Sequence, residues 1–235
     1  MSIADEIIRY ISRNRVSTTE VADALGKSGV LSGISPLTSE LHKVGRVHTI
    51  FTAYGSNHDV HDAIRFVEPD EIVLVFTHEC DDKAIFGDLV AKYLLLYRQA
   101  AAVVVDGLVR DAARLRRERY PIWTRGVTPL GCVNSPAPCY PEEQAAAIRN
   151  RLQGGVAVCD DGGVVVIPPD RLNEEMLQAL HHIELQEDLW YYCLNTLKWD
   201  TKRIVCDKEY RTVASPLFDQ YADVVTGAAE LFKKV

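Results

Sequence analysis

Two apolar runs constrain this chain more than anything else in it. EIVLVFT at Glu71–Thr77 and AAVVV at Ala101–Val105 are continuous rather than alternating, so each predicts a strand with neighbours on both faces. Pro69-Asp70 provides a turn before the first, and a leucine- and alanine-rich helix is predicted between them, from Asp88 to Gln99. A strand, a helix and a strand between Glu71 and Asp111 predict a parallel pair with a right-handed crossover. Ligands of such units sit beyond the carboxyl ends of the strands. Gly87-Asp88 opens the helix and Asp106–Asp111 follows the second strand, so the two stretches are expected near one edge of an α/β fold.

The flanking segments fit one domain spanning residues 1–235. N-terminal helices are expected in 1–30, the core in 31–170, and a C-terminal helix and tail in 171–235. Ile3–Arg13 and Thr18–Leu25 have helical spacing, the second with Ser17 or Thr18 as N-cap. Arg46–Ala53 alternates like a strand, Arg110–Arg119 reads as a basic helix, and Pro121–Pro129 holds a short strand and a loop. Gly154–Pro169 reads as a hairpin turning at Asp160–Gly163, and Arg171–Trp190 as a long helix. The tail after Trp199 carries no clear motif.

Composition narrows the function classes. A net charge of −7 and a pI near 5.5 argue against a nucleic-acid partner. Arg98 and Asp106 interrupt the longest apolar segment before it reaches the roughly 18 residues of a membrane span. Asp5, Glu6 and Arg9 stand where a secretory signal would have its apolar stretch, so a cytoplasmic protein is expected. The six cysteines form no C-x-x-C pair, which predicts reduced thiols and gives no sign of zinc; Cys132 and Cys139 flank the turn-rich NSPAP and are the pair that could approach one another. His58, His61, His181 and His182 are expected at surface or interface positions.

The pair Arg110-Asp111 needs a separate account. At a strand exit, such a pair is most simply a surface ion pair. Asp88 is most simply a first-turn carboxylate complementing a helix dipole, and Asp106-Gly107 most simply a turn. The wider pattern changes the weighting. FGDLVAKYLLLYRQAAAVVVDGLVRD, from Phe86 to Asp111, resembles the class II pyruvate aldolases acting on 4-hydroxy-4-methyl-2-oxoglutarate, whose fold family also contains the regulator of ribonuclease E activity A. DALGKSG at Asp23–Gly29, GRVHT at Gly45–Thr49, TRGVTP at Thr124–Pro129 and CDDGGVVVIP at Cys159–Pro168 agree in order, so the resemblance covers roughly residues 15–190. There are two departures. Twenty-one residues separate Asp88 from Arg110, one more than the family pattern, which implies an extra residue in the helix or its exit. LQGG stands where the family has Pro-Gly-Asp before the last hairpin.

The resemblance implies a three-layer β/β/α swivelling domain with the N-terminal helices packed at its edge. It implies a lyase that cleaves a 4-hydroxy-2-oxo acid to pyruvate by a retro-aldol reaction, with oxaloacetate decarboxylation through the same enolate. Arg110 and Asp111 would be catalytic, Gly87, Asp88, Leu89, Val90 and Arg110 would bind the 2-oxo acid, and Asp111 would hold Mg²⁺ or Mn²⁺. A homotrimer or a hexamer built as a dimer of trimers is implied, with sites near subunit boundaries. The alternative is a non-catalytic binding protein of the ribonuclease-regulator type. The residue types suit the chemistry: a guanidinium fork matches a carboxylate beside a carbonyl, free N–H groups at a helix start favour anions, and a carboxylate suits a hard cation.

Overall fold

A computed structural model describes residues 2–212. Reciprocal capping boxes, Ser2 with Asp5 and Ser17 with Glu20, start α1 (Ile3–Asn14) and α2 (Thr18–Ala24). Then follow β1 (Ser35–Pro36), β2 (Lys43–Ala53), α3 (His58–Ala63), β3 (Ile72–His78), β4 (Ala84–Phe86), α4 (Asp88–Lys92), β5 (Ala102–Val109), α5 (Ala112–Arg117) and β6 (Ile122–Val127). The later elements are α6 (Glu142–Leu152), β7 (Val156–Asp160), β8 (Gly163–Ile167) and α7 (Glu174–Asn195).

The strand order is β1-β6-β5-β3-β2-β7-β8, with β4 beside β5. The predicted pair β3 and β5 is parallel, Ile72 opposite Ala102 and Val75 opposite Val105. Strand β2 links two sheets. Val47–Ala53 pairs with β3 in parallel, whereas Lys43–Arg46 pairs with β7 antiparallel. This lets the β7–β8 hairpin fold over the parallel sheet, and Val47, Leu74 and Val104 pack against Ala157, Val164 and Val166. Trp123 is fully buried in that layer, its indole N–H donating to the Asp160 carbonyl at 2.8 Å. The opposite face of the parallel sheet buries Val73, Val75, Val103 and Val105 under Val60 of α3, Val90 of α4 and Leu115 of α5. Each such side chain contributes about 1.5–3 kcal/mol on burial. The three layers are therefore hairpin, parallel sheet and helices, an α/β fold as expected.

Several details differ from expectation. The N-terminal helices do not sit at an edge. Ile7, Ile11 and Val21, joined by Met176 and Leu180 of α7, cover the outer face of the hairpin against Val156, Val158, Val165 and Ile167. The hairpin would otherwise expose four apolar side chains. Asp106-Gly107 is not a turn, because β5 runs through it: Asp106 pairs with Phe76 of β3 and its carboxylate meets Arg125 of β6. The register against β6 shifts between Val105 and Leu108, which marks a bulge. The helix beginning at Asp88 widens into a π turn over Tyr93–Tyr97, with the Arg98 N–H bonded to the Tyr93 carbonyl, and stops before Gln99. A π turn holds one residue more than an α turn. The basic helix is shorter than expected and starts at Ala112, and α7 runs from Glu174 to Asn195 rather than from Arg171 to Trp190. His182 is buried rather than at the surface. The tail beyond residue 212 lies outside the described residues.

Candidate active site

Strand β5 delivers Arg110 and Asp111 to the carboxyl edge of the parallel sheet. The Arg110 N–H donates to the Phe86 carbonyl at 3.0 Å, so the arginine is still paired with the end of β4. Asp111 then takes the left-handed conformation, φ 58° and ψ 28°, before α5 begins. Aspartate tolerates that region better than most residues. Its Oδ2 accepts the Asp88 N–H at 3.0 Å, and the Arg110 Nε lies 3.9 Å from the same oxygen. Asp88 in turn pairs with Arg114 Nε at 3.2 Å, while its Oδ1 is buried with no partner. The two stretches singled out in the sequence therefore touch, and the simple ion-pair geometry applies more to Asp88–Arg114 than to Arg110–Asp111.

Two glycines make this contact possible. A Cβ on Gly87 would collide with Asp111 Oδ2. A Cβ on Gly131 would lie 2.5 Å from the Arg110 Nη1, so Gly131 forms a flat wall against the guanidinium. Gly87, Leu89, Val90, Arg110 and Asp111 line one cavity of about 180 Å³, and a second depression lies on the other side of Asp111 and Asp88. Leu89 and Val90 belong to the first turn of α4, where N–H groups have no intrahelical acceptor. Burial first, then the Asp88 and Glu118 charges, push the Tyr120 hydroxyl above its usual range, so it stays neutral behind Asp88.

The remaining cavity wall went unrecognised in the sequence. Asn57, His61, Cys132 and Asn134 come from loops and from α3. Asn57 is 7% exposed; its Nδ2 donates to the Ile85 carbonyl at 2.9 Å, which fixes Oδ1 as the free end of the amide, buried without a partner. Cys132 does not approach Cys139 as the spacing suggested. It contacts Cys80, and Cys139 is exposed. A continuous loop offers no periodic signal for such residues; only the Asn57 position just before α3 hints at a special role.

The donor set suits a hard cation. Among the described residues no group of three His, Cys, Asp or Glu could cage a metal. A magnesium ion that keeps most of its waters takes one or two carboxylates. Asp111 is one such carboxylate, and Asp88, whose N–H it accepts and whose Oδ1 is buried without a partner among the described residues, is the second candidate.

Comparison with known proteins places the chain in a family. A family model described as RraA-like, Aldolase/RraA, matches residues 18–166. A protein of Halalkalibacterium halodurans, provisionally named 4-hydroxy-4-methyl-2-oxoglutarate aldolase, is 32% identical over 73% of this chain and 81% of its own length. Protein DlpA of Legionella pneumophila is 28% identical over 71% of this chain, but the match spans 28% of that longer protein. Among solved structures, an uncharacterised protein from Pseudomonas syringae has a TM-score of 0.69 at 20% identity, covering 88% of this chain and 96% of the other. The Streptomyces coelicolor protein RraAS2, described as an unusual member of the RNase ES inhibitor RraA family, has a TM-score of 0.61 at 24% identity, covering 78% and 96%. The fold, the matched span and the relative above 30% identity lead to one conclusion: this chain belongs to the RraA-like (Aldolase/RraA) family.

Proposed function

We propose that this chain is a divalent-metal-dependent lyase that cleaves a 4-hydroxy-2-oxo acid, of the 4-hydroxy-4-methyl-2-oxoglutarate type, to pyruvate and a second carbonyl product. The observation that carries the reading is the meeting of Arg110 and Asp111 with Gly87, Leu89 and Val90 in one cavity, with the Asp88 N–H donating to Asp111 at its rim. A plain surface ion pair would need neither glycine beside it. The name of the Halalkalibacterium halodurans relative supports the same substrate class.

Arg110 binds the carboxylate and the adjacent 2-oxo oxygen, a planar fork against two coplanar acceptors. Gly131, with no side chain, lets the guanidinium lie flat against the loop. The first-turn N–H groups of Leu89 and Val90 add donors on the same side of the substrate. Asp111, with Asp88 beside it, would hold Mg²⁺ or Mn²⁺, which when bound polarises the 2-oxo group as a Lewis acid. The 4-hydroxyl loses its proton to solvent and becomes the carbonyl of the second product as the C3–C4 bond breaks. The bond's electron pair passes to the enolate, whose oxygen the Arg110 guanidinium would oppose, and a proton from water at C3 gives pyruvate. Asn57 lines the same cavity, and its unpartnered Oδ1 would accept a hydrogen bond from a substrate hydroxyl. Oxaloacetate decarboxylation produces the same enolate and is an expected side activity.

The test is pyruvate release from 4-hydroxy-4-methyl-2-oxoglutarate and from oxaloacetate, with and without Mg²⁺. Metal-dependent pyruvate from either supports the reading. No turnover on a panel of 4-hydroxy-2-oxo acids would favour a non-catalytic binding protein.

A further inference from the structure

Cys80 follows β3 and Cys132 follows β6, and backbone pairing holds their loops together. The Ala84 N–H donates to the Leu130 carbonyl at 2.7 Å, and the Cys132 N–H donates to the Ala84 carbonyl at 3.1 Å. On the other side, the Lys83 N–H donates to the Cys80 carbonyl at 3.0 Å. Both segments are thus registered on the strand Ala84–Phe86, and Ala84 also bridges Gly131 in parallel fashion. Within this frame Cys132 packs on the core cluster that contains Cys80, close enough for each thiol to shift the other. The Cys80 thiol also lies 3.5 Å from the His78 carbonyl.

The pair is asymmetric. Donation from the Cys132 thiol, outweighing burial, lowers Cys80 to about 6, with Lys83 adding a favourable charge. The same bond, with burial and the Cys80 charge, pushes Cys132 up. The thiolate therefore forms more readily on Cys80 than on Cys132. Cys80 is 5% exposed, and its neighbour Cys132 lines the cavity that contains Arg110.

We propose that Cys80 and Cys132 form a dithiol that hydrogen peroxide closes to a disulfide, fixing the segment that walls Arg110. The Cys80 thiolate attacks a peroxide oxygen, forming an S–O bond as the O–O bond breaks; the departing hydroxide takes a proton from solvent and leaves as water. Cys80 is then a sulfenic acid. The Cys132 sulfur attacks Cys80 Sγ, the S–S bond forms, and the S–O bond breaks; the hydroxide lost takes the Cys132 proton as a second water. Two thiols are oxidised and one peroxide is reduced to two waters. Gly131 precedes Cys132 and lies against the Arg110 guanidinium, so drawing Cys132 onto Cys80 moves the wall of the anion site. This consequence rests on the role proposed above for Arg110; the disulfide itself does not.

The experiment uses the full chain. Reduced protein is treated with hydrogen peroxide, free thiols are alkylated after denaturation, and peptides are mapped without reductant. A Cys80–Cys132 cross-link that dithiothreitol removes is expected, with Cys159 and Cys193 alkylated. Recovery of both Cys80 and Cys132 as alkylated thiols overturns the proposal. In Cys132→Ser, dimedone should trap a sulfenic acid on Cys80 that the wild type resolves, and equal labelling of the two proteins overturns the order of steps. Oxalate binding by calorimetry in Mg²⁺ then reads the site. Oxidation should weaken it by at least about five-fold, and equal affinity overturns the coupling to Arg110. Failure of the reduced protein to bind oxalate would sink the reading of the site, while the peptide map decides the disulfide independently.

Discussion

At the scale of single residues, the site depends on a few atoms that cannot move far. Arg110 is 51% exposed at its side chain, so its effect must come from where it points rather than from burial. A group that only clamped the carboxylate would bind ground state and transition state alike, and its loss would raise KM alone. Facing the enolate oxygen as well, Arg110→Ala should lower kcat by about 10²–10³, and Arg110→Lys should recover part of that because it keeps charge but loses the fork. Steady-state kinetics on variants shown to be folded by circular dichroism check this; an alanine variant with unchanged kcat and KM would return Arg110 to a surface role. Gly87→Ala is a sharper case, because the added methyl occupies the place of Asp111 Oδ2. It should abolish metal-stimulated turnover while the circular dichroism spectrum stays native. Wild-type turnover in that variant would show that Asp111 and the turn need not touch.

At the scale of elements, the hairpin is tied to α2 by one carboxylate. Asp160 accepts from the Thr18 N–H at 2.8 Å, the Thr18 hydroxyl at 2.6 Å and the Gly162 N–H at 2.8 Å. Asp160→Ala strands those donors and should cost roughly 2 kcal/mol, read by urea denaturation; a loss below about 0.5 kcal/mol, within the range of ordinary surface changes, would contradict this. The elements differ in how legible they were. Continuous valine runs revealed β3 and β5 because both faces of those strands are covered, and Asp160–Gly163 revealed its hairpin through turn chemistry. Asp106-Gly107 misled because an Asp-Gly pair usually turns, whereas here the Arg125 partner and a bulge keep it in the strand. Strand β4 is three residues long and α3 six, too short for a periodic pattern. Arg110, Asp111 and the Gly87–Val90 turn were legible because they flank a crossover helix. Asn57, His61, Cys132 and Asn134 were not, since only tertiary folding brings those loops to the cavity.

At the scale of the whole molecule, three cores stack across the hairpin and the parallel sheet, and the site lies at the sheet's open carboxyl edge rather than between them. Among the described residues no helix is long and apolar enough to cross a membrane. The family resemblance places such sites near subunit boundaries, so the chain is expected to be a homotrimer or a dimer of trimers. Light scattering at micromolar concentration checks the assembly, and a stable monomer would contradict it. The proposed function requires Arg110 and Asp111 to work together on a 2-oxo acid through a divalent metal. The most direct test follows pyruvate release from 4-hydroxy-4-methyl-2-oxoglutarate by wild type and Asp111→Ala, first in EDTA and then across a Mg²⁺ titration. The predicted result is no release in EDTA, restoration by Mg²⁺ in wild type, and no restoration in the variant at any Mg²⁺ concentration. Full release by Asp111→Ala at low Mg²⁺, or by wild type in EDTA, would contradict it.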